Sequence, residues 1–362
     1  MDFRNWWYRI LNWKKHIIAI AVLLFFIAII KLFNSIVDSD STYLQDKYLK
    51  DNFKEFNLNI PPDLNFAGEP VPIEDFAVRE KIDKEFVRSS FWTSKSTYHI
   101  KRAMRWFPVI EPILKAHNIP DDFKYVAMVE SGFTNTVSPK GATGFWQFVE
   151  STATNYGLEI NDNIDERFNI EKSTIAACKF LNDAYKELGS WTLVAAAYNR
   201  GIGGISKQIE KQGYNDYYNL YLNTETARYI FKILAIKEII TRPKHYGYKY
   251  EFEKGKGLQT KNIQIDSTIT DLQKFAQQLQ VDYHLVKLLN PWILNDKLLN
   301  QDKKAYVIKL PIKGQENSYQ FFAAELETVG KFATKENITK DTVVEIKVDS
   351  TQKNNGKDQT KN

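Results

Sequence analysis

Hydrophobic positions recur with a helical period over most of the middle of the chain. Over residues 73–117 the inward anchors are Phe76, Ile82, Phe86, Trp106, Ile110 and Ile113. A new helix is expected at Asp121 or Asp122, whose carboxylates can cap free N–H groups. Its apolar face runs through Phe123, Val126 and Ala127, and Glu130 falls seven residues after Phe123. That spacing puts a carboxylate on the inward stripe as the helix ends. The stretch 138–144, with Ser, Pro and two Gly, reads as a loop. Ser173 is expected to open a helix that Gly189 ends, and Ser190 to cap the next, from Trp191 to Tyr198. Gly201, Gly203 and Gly204 break the pattern. A last helix over about 225–240 stops before Pro243. No alternating run here can build a sheet, so the region reads as all-α.

The texture changes beyond an aromatic and basic connector at 244–256. A short strand at 263–265, helices at 269–279 and 285–289, and a strand at 305–310 form an α+β pattern. A possible second small module covers 313–349, and residues 350–362 are polar enough to read as disordered. At the other end, Ile17 to Ile30 are fourteen consecutive apolar residues, extendable to Val37 if Lys31 snorkels. Arg4, Arg9, Lys14 and Lys15 precede this run and Asp38 and Asp40 follow it. The pattern predicts a transmembrane anchor over 17–37 with residues 1–16 cytoplasmic, a cleaved signal or a buried helix being the alternatives. Residues 38–72, with Pro61, Pro62, Pro70 and Pro72, read as a tether.

Composition narrows the function. With 14% aromatic residues the chain is not disordered throughout, and its single Cys excludes an intrachain disulfide. The net charge of +5 suits an anionic partner but forms no strong basic stripe, so nucleic acid is not expected. The five histidines are scattered, and no metal or other cofactor is expected. Cys178 reads as a small buried hydrophobe.

The candidate chemistry centres on Glu130. Burial raises a carboxyl pKa and makes a protonated group available near neutral pH, as a general acid requires. An ordinary salt bridge is the alternative. Gly141 and Gly144 permit turns and close backbone approach, Gln147 can donate and accept hydrogen bonds, and Tyr198 joins a flat face to a hydroxyl.

Residues 120–240 resemble the lysozyme-like catalytic domain of lytic transglycosylases, closest to the membrane-bound murein lytic transglycosylase D group. Four ordered segments carry the likeness: Glu130-Ser131-Gly132-Phe133; Ser138 through Phe148, with Gly141, Gly144 and Gln147; Ala196-Ala197-Tyr198-Asn199-Arg200-Gly201; and Thr224-Glu225-Thr226 followed by Tyr229. Asp165, Arg167 and Glu171 resemble the family's short link before the Ala-rich helix. Val149 stands where the family often has Met, and the spacing from Glu130 to Ser138 is one residue shorter than in some relatives. Residues 257–312 resemble a degenerate LysM module, with Asp266-Ser267-Thr268 in place of the usual opening, a plain scaffold being the alternative.

The resemblance implies a mainly α fold. It has a helical upstream region (73–119), a lysozyme-like catalytic domain (120–243) and a small α+β LysM-like module, behind an N-terminal transmembrane helix. It implies Glu130 as the catalytic group. Ser138, Gln147, Val149, Tyr198, Asn199 and Tyr229 become substrate-binding residues, with the Tyr198 hydroxyl beside the catalytic carboxyl. Ser131, Gly141, Gly144, Gly201 and Glu225 become structural members of the motifs. The implied partners are peptidoglycan strands and, through the anchor, the membrane, with the catalytic domain periplasmic. The implied reaction is non-hydrolytic cleavage of the β-1,4 bond between N-acetylmuramic acid and N-acetylglucosamine to 1,6-anhydromuramyl ends. A hydrolytic muramidase and a non-catalytic wall-binding scaffold are the competing readings.

Overall fold

The computed structural model describes residues 60–90, 93–246 and 259–312. The expected anchor at 17–37, its basic flank, most of the tether, most of the connector and everything after 312 lie outside the described residues.

A two-residue hairpin, β1 (Asn65–Phe66) and β2 (Glu69–Pro70), precedes helices α1 (Phe76–Ser90) and α2 (Thr93–Ala116). There follow α3 (Lys124–Ser131), α4 (Glu150–Asn155), α5 (Ile170–Leu188), α6 (Trp191–Arg200), α7 (Ile202–Gln212), α8 (Thr224–Ala227) and α9 (Tyr229–Thr241). Helix α9 is the hub. Tyr229, Ile230, Phe231, Ile233, Leu234, Ala235, Ile239 and Ile240 are all buried, because α1, α2, α3 and α6 pack around it. A helix apolar around most of its circumference needs such enclosure. On α6, Ala195, Ala196 and Ala197 are fully buried, and their small side chains let α5, α7 and α9 approach closely.

The ends of these helices depart from expectation in instructive ways. Helix α5 starts at Ile170, three residues ahead of Ser173, because the Asn169 side chain accepts from Lys172 N at 3.1 Å and so caps it. Gly189, at φ 69°, ends it, and Ser190 caps α6 as expected. Asp121 and Asp122 lie in a 3₁₀ turn and cap nothing. Asp122 instead accepts from Ala67 N and from Lys237 Nζ, both at 2.7 Å, so it holds the β1–β2 hairpin against α9. Residues 60–72 are therefore integrated into the domain, with Leu64, Phe66 and Val71 buried. Glu69 then reaches the start of α6, accepting from Trp191 N at 2.5 Å, Thr192 N at 2.9 Å and Ser190 Oγ at 2.9 Å. A carboxylate suits the positive end of a helix.

Strands β3 (Thr260–Ile265) and β4 (Tyr306–Pro311) pair antiparallel, with Ile263 opposite Ile308, and enclose α10 (Leu272–Gln278) and α11 (Tyr283–Leu289). Asp271 and Asp282 cap the two helices. The module's core of Leu272, Val286, Trp292, Leu298 and Ile308 also takes in Ile164 from the larger domain. Backbone bonds from Asp165 N to Trp292 O and from Leu294 N to Asn163 O, both 2.9 Å, and a Lys309–Glu171 ion pair fasten the two together.

One part of the expected fold class needs correction. No helix among the described residues is long and apolar enough to cross a membrane. The most apolar, α9, has 13 residues and spans about 20 Å against a hydrocarbon core of about 30 Å. The 24-residue α2 is long enough but carries Lys101, Arg102, Arg105 and Glu111. The fold described is a mostly helical domain with a small LysM-like module. The membrane as a partner and the single-pass topology inferred from the anchor are set aside with it.

Candidate active site

Glu130 occupies the last turn of α3. The helix stops there because Gly132 takes a left-handed conformation at φ 60°, with its N–H donating to Met128 O at 2.8 Å. Ser131 Oγ donates to Phe145 O at 2.9 Å and so ties the end of α3 to the 138–148 loop.

That loop is held from beneath by a buried ion pair. Arg167 makes a two-pronged contact with Asp165, and its Nη1 donates to Gly141 O at 3.1 Å and Phe148 O at 3.2 Å. These hydrogen bonds offset the cost of burying the ion pair. Gly144 sits directly over this clamp at φ 79°, where a Cβ would lie 2.0 Å from Arg167 O. Only glycine fits. Gln147, at φ 49°, donates from Nε2 to Thr136 O at 3.0 Å and Gly144 O at 2.8 Å, which closes the turn. Among the described residues no donor reaches its Oε1.

The carboxyl of Glu130 accepts a short hydrogen bond from the Tyr229 hydroxyl. As a whole residue Glu130 is half-buried and keeps an opening to solvent, yet its carboxyl is surrounded by protein. Desolvation raises its pKa above the ordinary carboxylate value, and nearby Glu225 pushes the same way. The Tyr229 hydrogen bond and the charge of Lys232 work against that rise. Burial and the neighbouring carboxyl hold Tyr229 itself far above the usual phenol range, so it remains a neutral donor.

Other predicted residues are placed differently from one another. The Tyr198 hydroxyl donates to Trp146 O at 2.7 Å, so Tyr229, and not Tyr198, is the hydroxyl bonded to the carboxyl. The backbone breaks at Arg228 between α8 and α9, and this turns Tyr229 inward at the first position of α9. Asn199 accepts from Thr226 Oγ1 at 2.7 Å and donates to Glu225 at 3.2 Å, which joins two of the sequence motifs. Ser138 Oγ accepts from Ala142 N at 3.0 Å within the loop, and Val149 is exposed just before α4. Gly201, at φ 86°, makes the junction between α6 and α7.

A groove of about 990 Å³ opens beside Glu130 between α1, α2, α3 and α9. Ser138, Gln147, Val149, Tyr198 and Asn199 do not line it. Its walls include Glu85, Arg88, Arg102, Arg228 and Lys232, none of which the sequence pattern singled out. Glu85 is buried and accepts from Arg88 at 2.7 Å and from Arg228 at 2.5 and 3.1 Å. Its position three residues after Ile82, on the same inward stripe, was the available signal. The same spacing links Lys232 to Tyr229 on α9.

Residues 108–221 match the family described as Transglycosylase SLT domain, and residues 261–314 match the Soluble lytic transglycosylase C-terminal LysM-like domain. The chain is similar to the membrane-bound lytic murein transglycosylase D of Escherichia coli strain K12, 32% identical over 193 residues. That alignment covers 51% of this chain and 42% of the relative. The protein of the same description from Escherichia coli O6:H1 aligns with the same identity and coverage. The chain thus matches less than half the length of these relatives.

Proposed function

We propose, from the match to these two lytic transglycosylase domains, that the chain is an enzyme that cuts peptidoglycan strands without consuming water. Glu130 is the acid. Burial raises its pKa and so favours the protonated carboxyl, whose proton passes to the β-1,4 oxygen between N-acetylmuramic acid and N-acetylglucosamine as that C–O bond breaks. The muramyl 2-acetamido group stabilises the positive charge developing at C1. Glu130, now a carboxylate, takes the proton of the same sugar's C6 hydroxyl while O6 bonds to C1, which closes the 1,6-anhydro ring and restores the acid. An internal nucleophile has a large effective-concentration advantage over water.

The observation that carries this reading is that, among the described residues lining the groove, Glu130 is the one carboxyl outside an ion pair. Of the acidic residues that line the groove, Glu85 is locked between two arginines, which leaves Glu130 alone. Hydrolysis with retention or inversion uses two carboxyls across the bond. Tyr229 orients the acid, and the unpartnered Oε1 of Gln147 suits the N–H of an acetamido group. The motif likeness assigns Ser138, Val149, Tyr198 and Asn199 to the substrate as well.

Mass spectrometry of purified peptidoglycan digested by the chain tests the reaction. Products lighter by one water molecule than hydrolysed muropeptides are expected, and almost none from Glu130→Gln. Reducing-end muramic acid as the sole product would establish a muramidase instead, and no product at all a scaffold.

A further inference from the structure

Residues 159–166, between α4 and α5, fold back as a hairpin with Ile160 opposite Asp165. Glu166 N donates to Glu159 O at 2.9 Å and Asn161 N to Ile164 O at 2.7 Å. The edge of such a hairpin leaves peptide groups unpaired, and here the LysM-like module covers it. Asp165 N donates to Trp292 O and Leu294 N to Asn163 O, both at 2.9 Å, with Ile164 opposite Ile293 between them. Asn295 Nδ2 adds a bond to Asp162 O at 2.8 Å. Ile164, Trp292 and Ile293 are buried in one core. The module therefore holds residues 162–165 by backbone pairing as well as by apolar packing.

The same segment reaches the 138–148 loop. Asp165, whose N–H the module holds, grips Arg167 with both carboxylate oxygens. Arg167 donates to Gly141 O and Phe148 O, on either side of the turn that Gln147 closes. Its own carbonyl lies so close to Gly144 that no Cβ would fit. Within the loop, Phe145 O accepts from Ser131, the residue next to Glu130. A series of hydrogen bonds thus runs from Trp292 in the module to the end of the helix that carries Glu130. Asp165 and Arg167 are both buried, so a bond lost between them is not simply replaced by one to water.

We infer that the docked module is a positioning element of the site, acting through Asp165 and Arg167 on the loop that bears Gln147 and is tied to Ser131. Neither Asp165 nor Arg167 lines the groove, so both act through the loop. The consequence for rate rests on the transglycosylase reading above, whereas the hold on the loop does not. Groups that must meet a substrate to within about 0.5 Å depend on such support. Loosening the module's grip lowers turnover and leaves substrate binding nearly as it was.

The test uses the full chain, well below its unfolding temperature. Ile293→Ala weakens the contact at the hairpin edge. Ile308→Ala is an equal truncation in the same core, on β4, where the residue pairs with Ile263 and not with the hairpin. Amide hydrogen exchange reads the loop, and peptidoglycan cleavage reads the site. Ile293→Ala is expected to speed exchange over 141–148 and to lower kcat, each about tenfold, with KM within about twofold of the parent. Ile308→Ala keeps the parent's loop exchange and kcat. Arg167→Lys, which keeps a charge for Asp165 but not the planar fork, should resemble Ile293→Ala. Joining the two should cost little more than the larger alone, because both act in one series. Parental loop exchange in Ile293→Ala overturns the inference, and so does faster exchange with an unchanged kcat. Equal losses in Ile293→Ala and Ile308→Ala would reduce the effect to stability, and fully additive losses in the double variant would separate the two contacts; either also overturns it. A parent that cleaves nothing removes the reaction, and faster loop exchange in Ile293→Ala alone then still upholds the module's grip on the loop.

Discussion

Glu130 is held in a conflict of forces at the scale of a single residue. Desolvation favours its neutral form, while the Tyr229 hydroxyl and the Lys232 ammonium favour the ion. Desolvation wins, so in the fold the carboxyl binds its proton more tightly than in the unfolded chain, where a glutamate titrates near about 4.3. The folded state then holds more protons than the unfolded state above that value, and stability falls as pH rises through the folded pKa. Glu130→Gln removes this loss and keeps an acceptor for Tyr229. The variant is expected to match the parent in Tm near pH 3 and to exceed it increasingly as the parent's carboxyl ionises. A parallel pair of Tm-against-pH curves would contradict a raised pKa. The same residue shows what spacing can reveal. Glu130 was legible as an inward acid from its distance to Phe123, but its hydroxyl partner was not. Tyr198 and Tyr229 are both aromatic hydroxyls in motif positions, and only the packing of α6 and α9 decides which oxygen reaches the carboxyl.

Helices in this fold are terminated and anchored by groups distant in sequence. The first peptide N–H groups of α6 face Glu69, more than a hundred residues earlier, and local sequence shows only the Ser190 cap. Helix α6 holds Tyr198 and Asn199 in place, so the β1–β2 hairpin supports one side of the site from a distance. Glu69→Ala is expected to lower stability by about 1–2 kcal/mol in urea unfolding, the size of a lost helix cap with charge. Glu69→Gln, which keeps an acceptor, should cost less. Equal losses for the two would mean that the contact acts by packing alone. The early start of α5 has a similar origin. Ser173 is where the sequence pattern opens the helix, yet Asn169 is the residue whose side chain meets a free N–H. Ser173 itself is fully buried within the helix.

The larger domain and the LysM-like module share a core across the whole molecule. Ile164 leaves the loop before α5 and packs with Trp292, Ile293 and Leu298, and the bridge between Ile164 and Ile293 extends that contact through the backbone. Ile164→Ala should therefore destabilise the protein by about 2–4 kcal/mol, as buried aliphatic truncations do, and expose residues 259–312 to limited proteolysis. Unaltered proteolysis with a full loss of stability would place the contact's effect in the larger domain alone. The 159–171 segment thus has two faces. Asp165 and Arg167 brace the 138–148 loop, while Glu159, Ile164 and Glu171 meet the module, Glu159 accepting from the Tyr306 hydroxyl at 3.0 Å.

Local pattern alone determined the helical character of the middle of the chain, the small α+β module after it, the inward Glu130 and the glycine-dependent loop. Each of these depends on period, caps or backbone sterics over a few residues. Tertiary structure decided the rest. It chose Tyr229 over Tyr198, turned Asp122 and Glu69 from local acids into long-range fasteners, and lined the groove with cations from α1, α2 and the α8–α9 segment. Those residues are up to about 150 positions apart in the chain, and no local period relates them; they meet because α9 is apolar around most of its circumference and gathers the other helices around it.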